Sequence, residues 1–335
     1  YQATVRDYVT KKATGGSLAL LFADDDYYTT ASTNAYGLTT FLGNHDMGRI
    51  GFFLATDTAA LGQELVERDL LAHDLLFLTR GTPVVYYGDE VGMTGSGDGT
   101  DKKARQDMFP TEVADWRTEE RIGSAPIGTG SSLGASSPIA SRITALTRLR
   151  AAHPALATGA QITRYGEDSV FASSRIDATS RREYVVAFNT ADTAASASFT
   201  TSTPSSGWTA LLGASPATTN SAGTMSITIP ARSSVVLRAD TTLPVPAAPT
   251  VSLKASKDMI SGTYRLAATV PGSDPASVTF VVKRKGSATW SVVGTDDSRP
   301  FRVFLPAAKG STVEVAAVVR DSAGQVASST PMRMS

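Results

Sequence analysis

The sequence predicts a multidomain chain in which an α/β segment is followed by two all-β modules. Near its start, short apolar runs alternate with helical patterns, which is typical of a parallel sheet covered by helices. From about residue 155 onward, short strands separated by turn residues replace the helices. A linker with three prolines, TTLPVPAAP, then divides this strand-rich part into two modules.

The length and the composition agree with this organisation. A chain of 335 residues fits two or three domains of roughly 100–200 residues each. We predict domains at 1–153, 154–242 and 243–335. Lys plus Arg equals Asp plus Glu at 31 each, without a basic stripe, so neither nucleic acid nor a membrane is an expected partner. The absence of cysteine removes disulfides, thiol nucleophiles and thiolate metal sites.

The first segment shows the order strand, helix, strand, loop, helix. QATVRDYV and SLALLFADDDYY have helical patterns, and GLTTFLGN is a strand-like run. ALGQELVERDLLAHDLLFLTRG is the clearest helix, with an apolar stripe that starts at Leu61. Arg80 is expected in its last turn and Gly81 just beyond. The strand TPVVYYGDE follows, and after a polar stretch SPIASRITALTRLRAAH gives a helix that Pro154 stops. These are two successive β/α units, whereas a closed (β/α)8 barrel needs eight.

The two β modules are read from their alternating strands. ITRYGEDSVFASSRI, REYVVAFNT, ASASFTTS, GWTALLG, MSITIP and SSVVLRA form the first module. The seven strands after the linker favour an immunoglobulin-like or fibronectin-like β-sandwich. In that interpretation Trp290 is a core residue.

Only one of the three histidines stands where chemistry is expected. His73 lies within a helix and His153 at a helix end, so both are interpreted as packing or surface residues. His45 lies between Asn44 and Asp46, at the carboxyl end of a predicted parallel strand, where barrel enzymes place catalytic groups. A simple turn is the alternative, because Asn and Asp are turn formers.

The second strand makes a site more plausible than a turn. VVYYGDE ends in Gly88, Asp89 and Glu90, so two neighbouring strands direct carboxylates and an imidazole to one edge. Glycosidases need such crowding, because nearby negative charge stabilises an oxocarbenium-like transition state.

FLGNHD, followed by a helix and LLFLTRGTPVVYYGDEVGM, resembles the last two β/α units of the α-amylase family of glycoside hydrolases. KKARQDMFPTEVADW resembles the loop that follows the eighth strand in that family. The resemblance covers residues 1 to about 240 and implies a partial (β/α)8 TIM barrel followed by an antiparallel β-rich C-terminal domain. The module at 243–335 would be an appended sandwich. A secreted bacterial enzyme acting on α-glucans such as starch, glycogen, maltodextrin or pullulan is the expected function.

The resemblance also implies roles for individual residues. Asp46 matches the third carboxylate of the family, which binds sugar hydroxyls at the cleavage subsite, and His45 matches an imidazole that binds the same sugar. Asn44 and Arg49 are further substrate-binding candidates, although Asn44 also suits a scaffold role at the strand end. Asp89 and its neighbour match a motif whose role is largely structural.

The larger part of the family's catalytic machinery has no counterpart here. Nothing matches the motifs of the nucleophile Asp and the acid/base Glu, so we expect both upstream of Tyr1 and expect the chain to be inactive without them. The missing N-terminal half of the barrel, for example as a separate chain, is therefore an expected partner. No cofactor is assigned to this chain. Calcium is conceivable in the complete enzyme, but the oxygen-rich stretches 24–26 and 95–101 are better interpreted as solvated loops.

A non-catalytic carbohydrate-binding or assembly protein is the alternative function. Such a protein would bind sugars on exposed aromatic side chains of the last module. Most aromatic residues of that module are predicted to be core residues, which disfavours this function. A nucleotide-binding protein is disfavoured, because no Gly-rich phosphate loop follows a strand.

Overall fold

The computed structural model describes residues 1–95, 100–213, 215–258, 262–306 and 312–334. Its helices are α1 Gln2–Val9, α2 Gly15–Ala23, α3 Ile50–Asp57, α4 Gln63–Leu78, α5 Asp101–Ala104, α6 Ala114–Thr118, α7 Pro138–Ala152 and α8 Ala155–Thr158. Short 3-10 turns cover Asp25–Tyr28, Ala35–Gly37 and Asp89–Val91. No helix in these ranges is long and apolar enough to cross a membrane.

The strands follow in three groups. The first holds β1 Thr39–Phe41 and β2 Thr82–Val84. The second holds β3 Ala160–Glu167, β4 Val170–Asp177, β5 Arg182–Asn189, β6 Ala195–Thr200, β7 Gly207–Leu212, β8 Ala217–Thr218, β9 Thr224–Ile229 and β10 Ser233–Ala239. The third holds β11 Ser252–Lys257, β12 Tyr264–Thr269, β13 Ala276–Arg284, β14 Ser291–Asp296, β15 Phe301–Leu305, β16 Val313–Asp321, β17 Val326–Ser328 and β18 Met332–Met334.

Strands β1 and β2 form the predicted parallel pair, with Thr40 opposite Pro83. The second strand is shorter than the sequence pattern indicates, because it ends at Val84 instead of Tyr87. The chain then turns through Gly88 in a left-handed conformation, with φ at 90°, and enters the short 3-10 turn. Both strands therefore end abruptly, and the residues that follow them are free to form loops at the same sheet edge.

Helix α4 is the predicted long helix, but its ends differ from the expectation. It stops at Leu78 and Thr79 is extended, so the prediction of Arg80 in the last turn is wrong. Arg80 instead pairs with Asp25, with Nε 2.6 Å from Oδ2. Leu61 precedes the helix and is 81% exposed, so the apolar stripe begins later than predicted. An ion pair between distant residues follows the C-terminal end of the helix, and a turn precedes its N-terminal end. Helical periodicity predicts neither feature.

Helix α3 was not expected from the sequence. Its residues, IGFFLATD, are apolar almost throughout and so lack the alternation that marks an amphipathic helix. Ile50 and Leu54 are buried in the same core as α4.

Helix α4 is packed on several sides, with contacts to α1, α3, α7, α8, β5 and β10. Four charged or titratable residues of the helix are consequently buried, namely Arg68, Asp69, His73 and Asp74. Burial of such groups is costly unless each is paired. The buried His73 is thus a packing residue, which is one of the two interpretations that its position in the helix allowed.

Two partners tie α4 to the second group of strands. Asp74 accepts two hydrogen bonds from Arg142 on α7, at 2.6 and 2.7 Å, and one from Ser234 on β10 at 2.7 Å. Arg68 donates to the carbonyl of Val9 at 2.8 Å and to Asp192 at 2.7 Å. These bonds hold helices and sheet in one unit.

The second group forms two packed antiparallel sheets. One has the order β3-β4-β5-β10-β7-β8, and the other pairs β6 with β9. Trp208 and its neighbours fill the space between them. The opposite face of the large sheet, which includes Phe171 and Phe188, shares its core with α1, α2 and α4. The helical and stranded parts therefore bury one continuous surface.

The third group also forms two antiparallel sheets, one with the order β11-β12-β15 and one with the order β14-β13-β16-β17, with β18 added beside β16. Phe280 and Phe301 lie in the core between them. The prediction that Trp290 is a core residue is wrong: it precedes β14, is 39% exposed and lies under the Lys283 ammonium at 5.0 Å. The domain boundaries at 153/154 and 242/243 stay predictions.

Replacing Arg142 tests the buried ion pair. We expect Arg142→Met to lower the free energy of unfolding by about 3–5 kcal/mol, because it leaves the buried Asp74 carboxylate without its cation. Urea denaturation measures the change. Arg148→Met, on the exposed side of the same helix, is the matched control and should change stability by less than about 0.5 kcal/mol. If both substitutions lower the free energy of unfolding equally, the ion pair between Arg142 and Asp74 does not stabilise the fold.

His73 predicts a loss of stability at alkaline pH. Burial lowers the pKa of His73, but the bonds to Asp69, with Nδ1 3.0 Å from its carbonyl and 2.9 Å from Oδ1, outweigh this and raise the pKa to about 9. A raised histidine pKa stabilises fully below the unfolded value of about 6.5 and loses this contribution as the pH rises through 9. We expect the unfolding free energy to fall by on the order of 3 kcal/mol across that window.

Urea denaturation at a series of pH values measures this fall, which His73→Gln should abolish. His153→Gln is the control: burial lowers the pKa of His153, which cannot cause a loss of stability at alkaline pH, so this variant should keep the fall of the unsubstituted protein. If the free energy of unfolding of His73→Gln falls with pH as much as that of the unsubstituted protein, His73 is not the cause of the fall.

Candidate active site

Asn44 builds the turn that follows β1. Its Oδ1 accepts hydrogen bonds from the backbone amides of Asp46 and Met47, each at 2.8 Å, and its own amide donates to the Gly48 carbonyl at 3.2 Å. Side-chain acceptance of this kind is characteristic of Asx turns. A Cβ on Gly43 would lie 2.4 Å from the Gly48 carbonyl oxygen, so the turn closes only because that position is glycine.

This turn presents His45 and Asp46 to solvent. Their side chains are 62% and 64% exposed, and Nε2 of His45 lies 3.2 Å from Oδ2 of Asp46. Two polar side chains thus stand together at the carboxyl end of a parallel strand, the edge where barrel enzymes carry their chemistry. The structure brings these two predicted residues together.

Arg105 is a third member of this group. From the segment after α5, its Nε donates to the His45 carbonyl at 3.2 Å, and its Nη2 lies 3.4 Å from Oδ1 of Asp46. The same Nη2 donates to Asp101 at 3.0 Å. Arg105 belongs to the stretch KKARQDMFPTEVADW, for which the sequence predicts a loop and no site residue. The contact joins segments about 60 residues apart, so local spacing could not reveal it.

Arg49 lies beneath this exposed group. It is fully buried, and its Nη1 donates to the Tyr87 carbonyl at 2.7 Å and to Oδ1 of Asp89 at 2.8 Å. Its guanidinium also stacks over the Tyr86 ring at 4.6 Å. These contacts link the segments that follow β1 and β2. The predicted substrate contacts of Arg49 and Asn44 stay predictions, since the contacts that the structure describes are supporting ones.

Burial raises the pKa of Asp89 to about 6, although Arg49 and then His73 oppose the rise. Its neighbour Glu90 accepts a hydrogen bond from the Gly88 amide at 2.7 Å. A Cβ on Gly88 would lie 2.5 Å from Sδ of Met93 and 3.1 Å from the Arg49 guanidinium. The polar cluster after β2 is therefore a tightly packed support, separate from the exposed pair.

A metal site is not apparent at this edge. Across the ranges that the structure describes, no group of three or more His, Asp or Glu side chains is arranged to hold a metal ion. The expectation that stretch 24–26 is a solvated loop is wrong for two of its residues, because Asp25 and Asp26 pair with arginines. Part of the stretch 95–101 lies outside the described residues.

Comparison with known proteins adds independent information. Residues 4–122 match the family model described as α-amylase, catalytic domain. The chain is 42% identical to an α-amylase of Streptomyces lividans, in an alignment that covers 98% of this chain and 36% of that protein.

Two solved structures share the fold. An α-amylase from Geobacillus thermoleovorans, complexed with acarbose, aligns at a TM-score of 0.53 and 17% identity over 72% of this chain and 46% of that one. A cyclomaltodextrin glucanotransferase with a three-domain ABC distribution aligns at 0.51 and 22% identity, over 73% and 43%. At these identities the likeness concerns the fold alone.

The fold and the strand-end group define a portion of an α-amylase-type catalytic domain joined to antiparallel β domains. The chain belongs to the α-amylase family of glycoside hydrolases. It spans about a third of the length of the Streptomyces relative.

Asn44 offers a test of the turn that carries the site. We expect Asn44→Ala to speed amide exchange at Asp46 and Met47 by about 5-fold, because about 1 kcal/mol of hydrogen bonding to Oδ1 is lost. Asn44→Asp keeps an acceptor oxygen and should retain the protection. Amide hydrogen exchange measures both variants, and unchanged protection in Asn44→Ala would show that the side chain does not hold the turn.

Proposed function

We propose that this chain forms part of a retaining glycoside hydrolase that acts on α-glucans, with Asp46 and His45 as sugar-binding groups. The observation that carries the proposal is the exposed His45–Asp46 pair at the carboxyl end of β1, in a chain of the α-amylase family. Starch, glycogen, maltodextrin and pullulan are substrates of the proposed class.

Asp46 suits a role in stabilising the transition state. As the sugar approaches an oxocarbenium ion, its hydroxyl groups become better donors, and hydrogen bonds to a carboxylate strengthen. A group that binds the transition state more tightly than the ground state lowers the barrier. The Asn44 turn fixes the Asp46 backbone, so the carboxylate needs little reorganisation when a sugar arrives.

His45 and Arg105 suit supporting roles in the same site. His45 offers an imidazole nitrogen 3.2 Å from the Asp46 carboxylate, so both groups can bind hydroxyls of the same sugar. Arg105 places a positive charge next to Asp46 and ties the loop after α5 to the turn. Exposed ion pairs are weak, so a sugar hydroxyl can replace this contact at small cost.

The reacting carboxylates belong, in this proposal, to barrel strands outside the present sequence. A retaining hydrolase needs a nucleophile and an acid/base about 5–5.5 Å apart, and Asp46 supplies neither role. These strands would come from the same polypeptide or from a separate chain that completes the barrel. Within the residues that the structure describes, β1 pairs only with β2, and an edge strand with unpaired backbone groups on one side is a template for pairing with a further strand, which supports this proposal.

The finer features of the fold belong to the same proposal. We infer that the helical part is the end of a (β/α)8 barrel and that residues 243–335 are an immunoglobulin-like or fibronectin-like accessory sandwich. The two packed antiparallel sheets of that region support the second inference. Secretion from a bacterium fits an enzyme whose polymeric substrate is too large to enter a cell.

Asp46→Asn tests the function in the complete enzyme, which contains the remaining barrel strands. We expect kcat on soluble starch to fall about 10²–10³-fold, because the neutral amide cannot strengthen its bonds to the developing cation. The fall should be larger in kcat than in KM. Reducing-sugar release under saturating substrate measures it.

Asp115→Asn removes an exposed carboxylate from α6 and is the control, with no expected change in kcat. Circular dichroism should show the same fold for both variants. If the kcat of Asp46→Asn lies within twofold of the kcat of the unsubstituted enzyme, Asp46 does not stabilise the transition state.

A further inference from the structure

Arg105 reaches the candidate site from a segment that is buried on both sides of it. Its side chain is 49% exposed, whereas the neighbouring residues Ala104 and Gln106 are each only 1% exposed. The guanidinium contacts the turn after β1, with Nε 3.2 Å from the His45 carbonyl oxygen and Nη2 3.4 Å from Oδ1 of Asp46. The backbone is therefore anchored within the protein while the side chain projects to the site.

The contacts of the Arg105 guanidinium are too weak to fix its position by themselves. Those to His45 and Asp46 are long for hydrogen bonds. Nη2 also donates to Asp101 at 3.0 Å, but that carboxylate is itself 41% exposed. Exposed ion pairs contribute little to stability. The position of the guanidinium thus depends on what holds the backbone beside it.

The Glu119 carboxylate holds that backbone through the side chain of Gln106. Nε2 of Gln106 donates to Oε2 of Glu119 at 2.6 Å, and the Thr94 hydroxyl donates to Oε1 at 2.7 Å. Hydrogen bonds to a carboxylate are stronger than those between neutral groups. Because Gln106 is buried, loss of its acceptor would leave an unsatisfied amide donor, which is costly.

The segment that carries Glu119 is in turn joined to the residues that follow β2. The Ile122 amide donates to the Gly92 carbonyl at 2.8 Å. A Cβ on Gly92 would lie 2.1 Å from the Ile122 carbonyl oxygen, so the two segments pack backbone against backbone. Gly92 directly follows the 3-10 turn Asp89–Val91, which belongs to the buried support of the site. Glu119 therefore links this support to the segment of Arg105.

We propose that Glu119 is a positioning residue of the candidate site, which places Arg105 against the Asp46 turn through its bond to Gln106. The inference rests on the proposed function, in which Arg105 supports the sugar-binding carboxylate. Arg105 and Gln106 are consecutive, so a displacement of the anchored Gln106 displaces the guanidinium as well. Glu119 acts through this neighbour and is assigned no contact with the sugar.

The Nε proton of Arg105 reports the contact in the present chain without any need for activity. It donates to the His45 carbonyl, so its exchange with water, followed by NMR spectroscopy, measures how persistently the contact is made. Glu119→Ala should speed this exchange about 5-fold, the effect of losing one hydrogen bond. Gln106→Met breaks the same link from the other end and should have the same effect.

Two further variants control for the loss of charge and for changes in the segment. Glu120→Ala removes the adjacent, exposed carboxylate and should leave the exchange unchanged. Glu119→Gln should also leave it nearly unchanged, since its amide oxygen can accept from Gln106 and its amide nitrogen can donate to the Thr94 hydroxyl. If the exchange in Glu119→Ala is as slow as in the unsubstituted chain, Glu119 does not position Arg105.

A double-mutant cycle in the complete enzyme separates positioning from a general effect on the segment. We expect Arg105→Ala and Glu119→Ala each to raise KM for soluble starch about 5-fold. The kcat should change less than about twofold, because the Arg105 contact is already made before a sugar binds. Adding Glu119→Ala to Arg105→Ala should raise KM no further, since both substitutions act through one guanidinium.

The outcomes distinguish this inference from the proposed function. If the effects of the two substitutions on KM multiply, Glu119 acts independently of Arg105 and the positioning role is overturned. If Arg105→Ala leaves KM unchanged while Glu119→Ala still speeds exchange of the Nε proton, the proposed supporting role of Arg105 is wrong and its positioning by Glu119 stands.

Discussion

The burial of helix α4 is the constraint on which the rest of the structure depends. The helix lies between the other helices and one face of the large antiparallel sheet, so four of its charged or titratable residues, Arg68, Asp69, His73 and Asp74, are almost fully excluded from water. Each must find a partner within the protein, and the partners lie on different elements: Asp74 binds Arg142 and Ser234, and Arg68 reaches Asp192. Because an unpaired buried charge costs several kcal/mol, these bonds also set how the helical and stranded parts fit together.

The candidate site follows from how abruptly the two parallel strands end. After β1 the Asn44 turn holds an exposed pair, while the segment after β2 forms a buried support around Arg49 and Asp89. The division is physical: the exposed carboxylate of Asp46 is available to a ligand, whereas the carboxylate of Asp89 is engaged by a guanidinium that stacks on tyrosine. A glycosidase built on this edge would use the first for the sugar and the second to keep the strand ends in place.

The three regions are joined in two different ways. The helical region and the first antiparallel module share one hydrophobic core, which makes their relative position a consequence of ordinary packing. The third group of strands has its own core, and Arg302 and Phe304 of β15 contact Asp26 and Tyr27 of the helical region.

The sequence by itself determined the order of elements, because periodicity and turn residues act locally. It predicted α7, the parallel pair, most strands of both modules and the position of His45 and Asp46 at a strand end. Tertiary structure alone decided which polar residues face solvent. Arg49 is buried, Trp290 is partly exposed, Asp25 and Asp26 pair with distant arginines, and Arg105 reaches Asp46. The partners of Arg49, Asp25, Asp26 and Arg105 lie 40, 55, 276 and 59 residues away in the chain, and no local pattern encodes contacts between such distant residues.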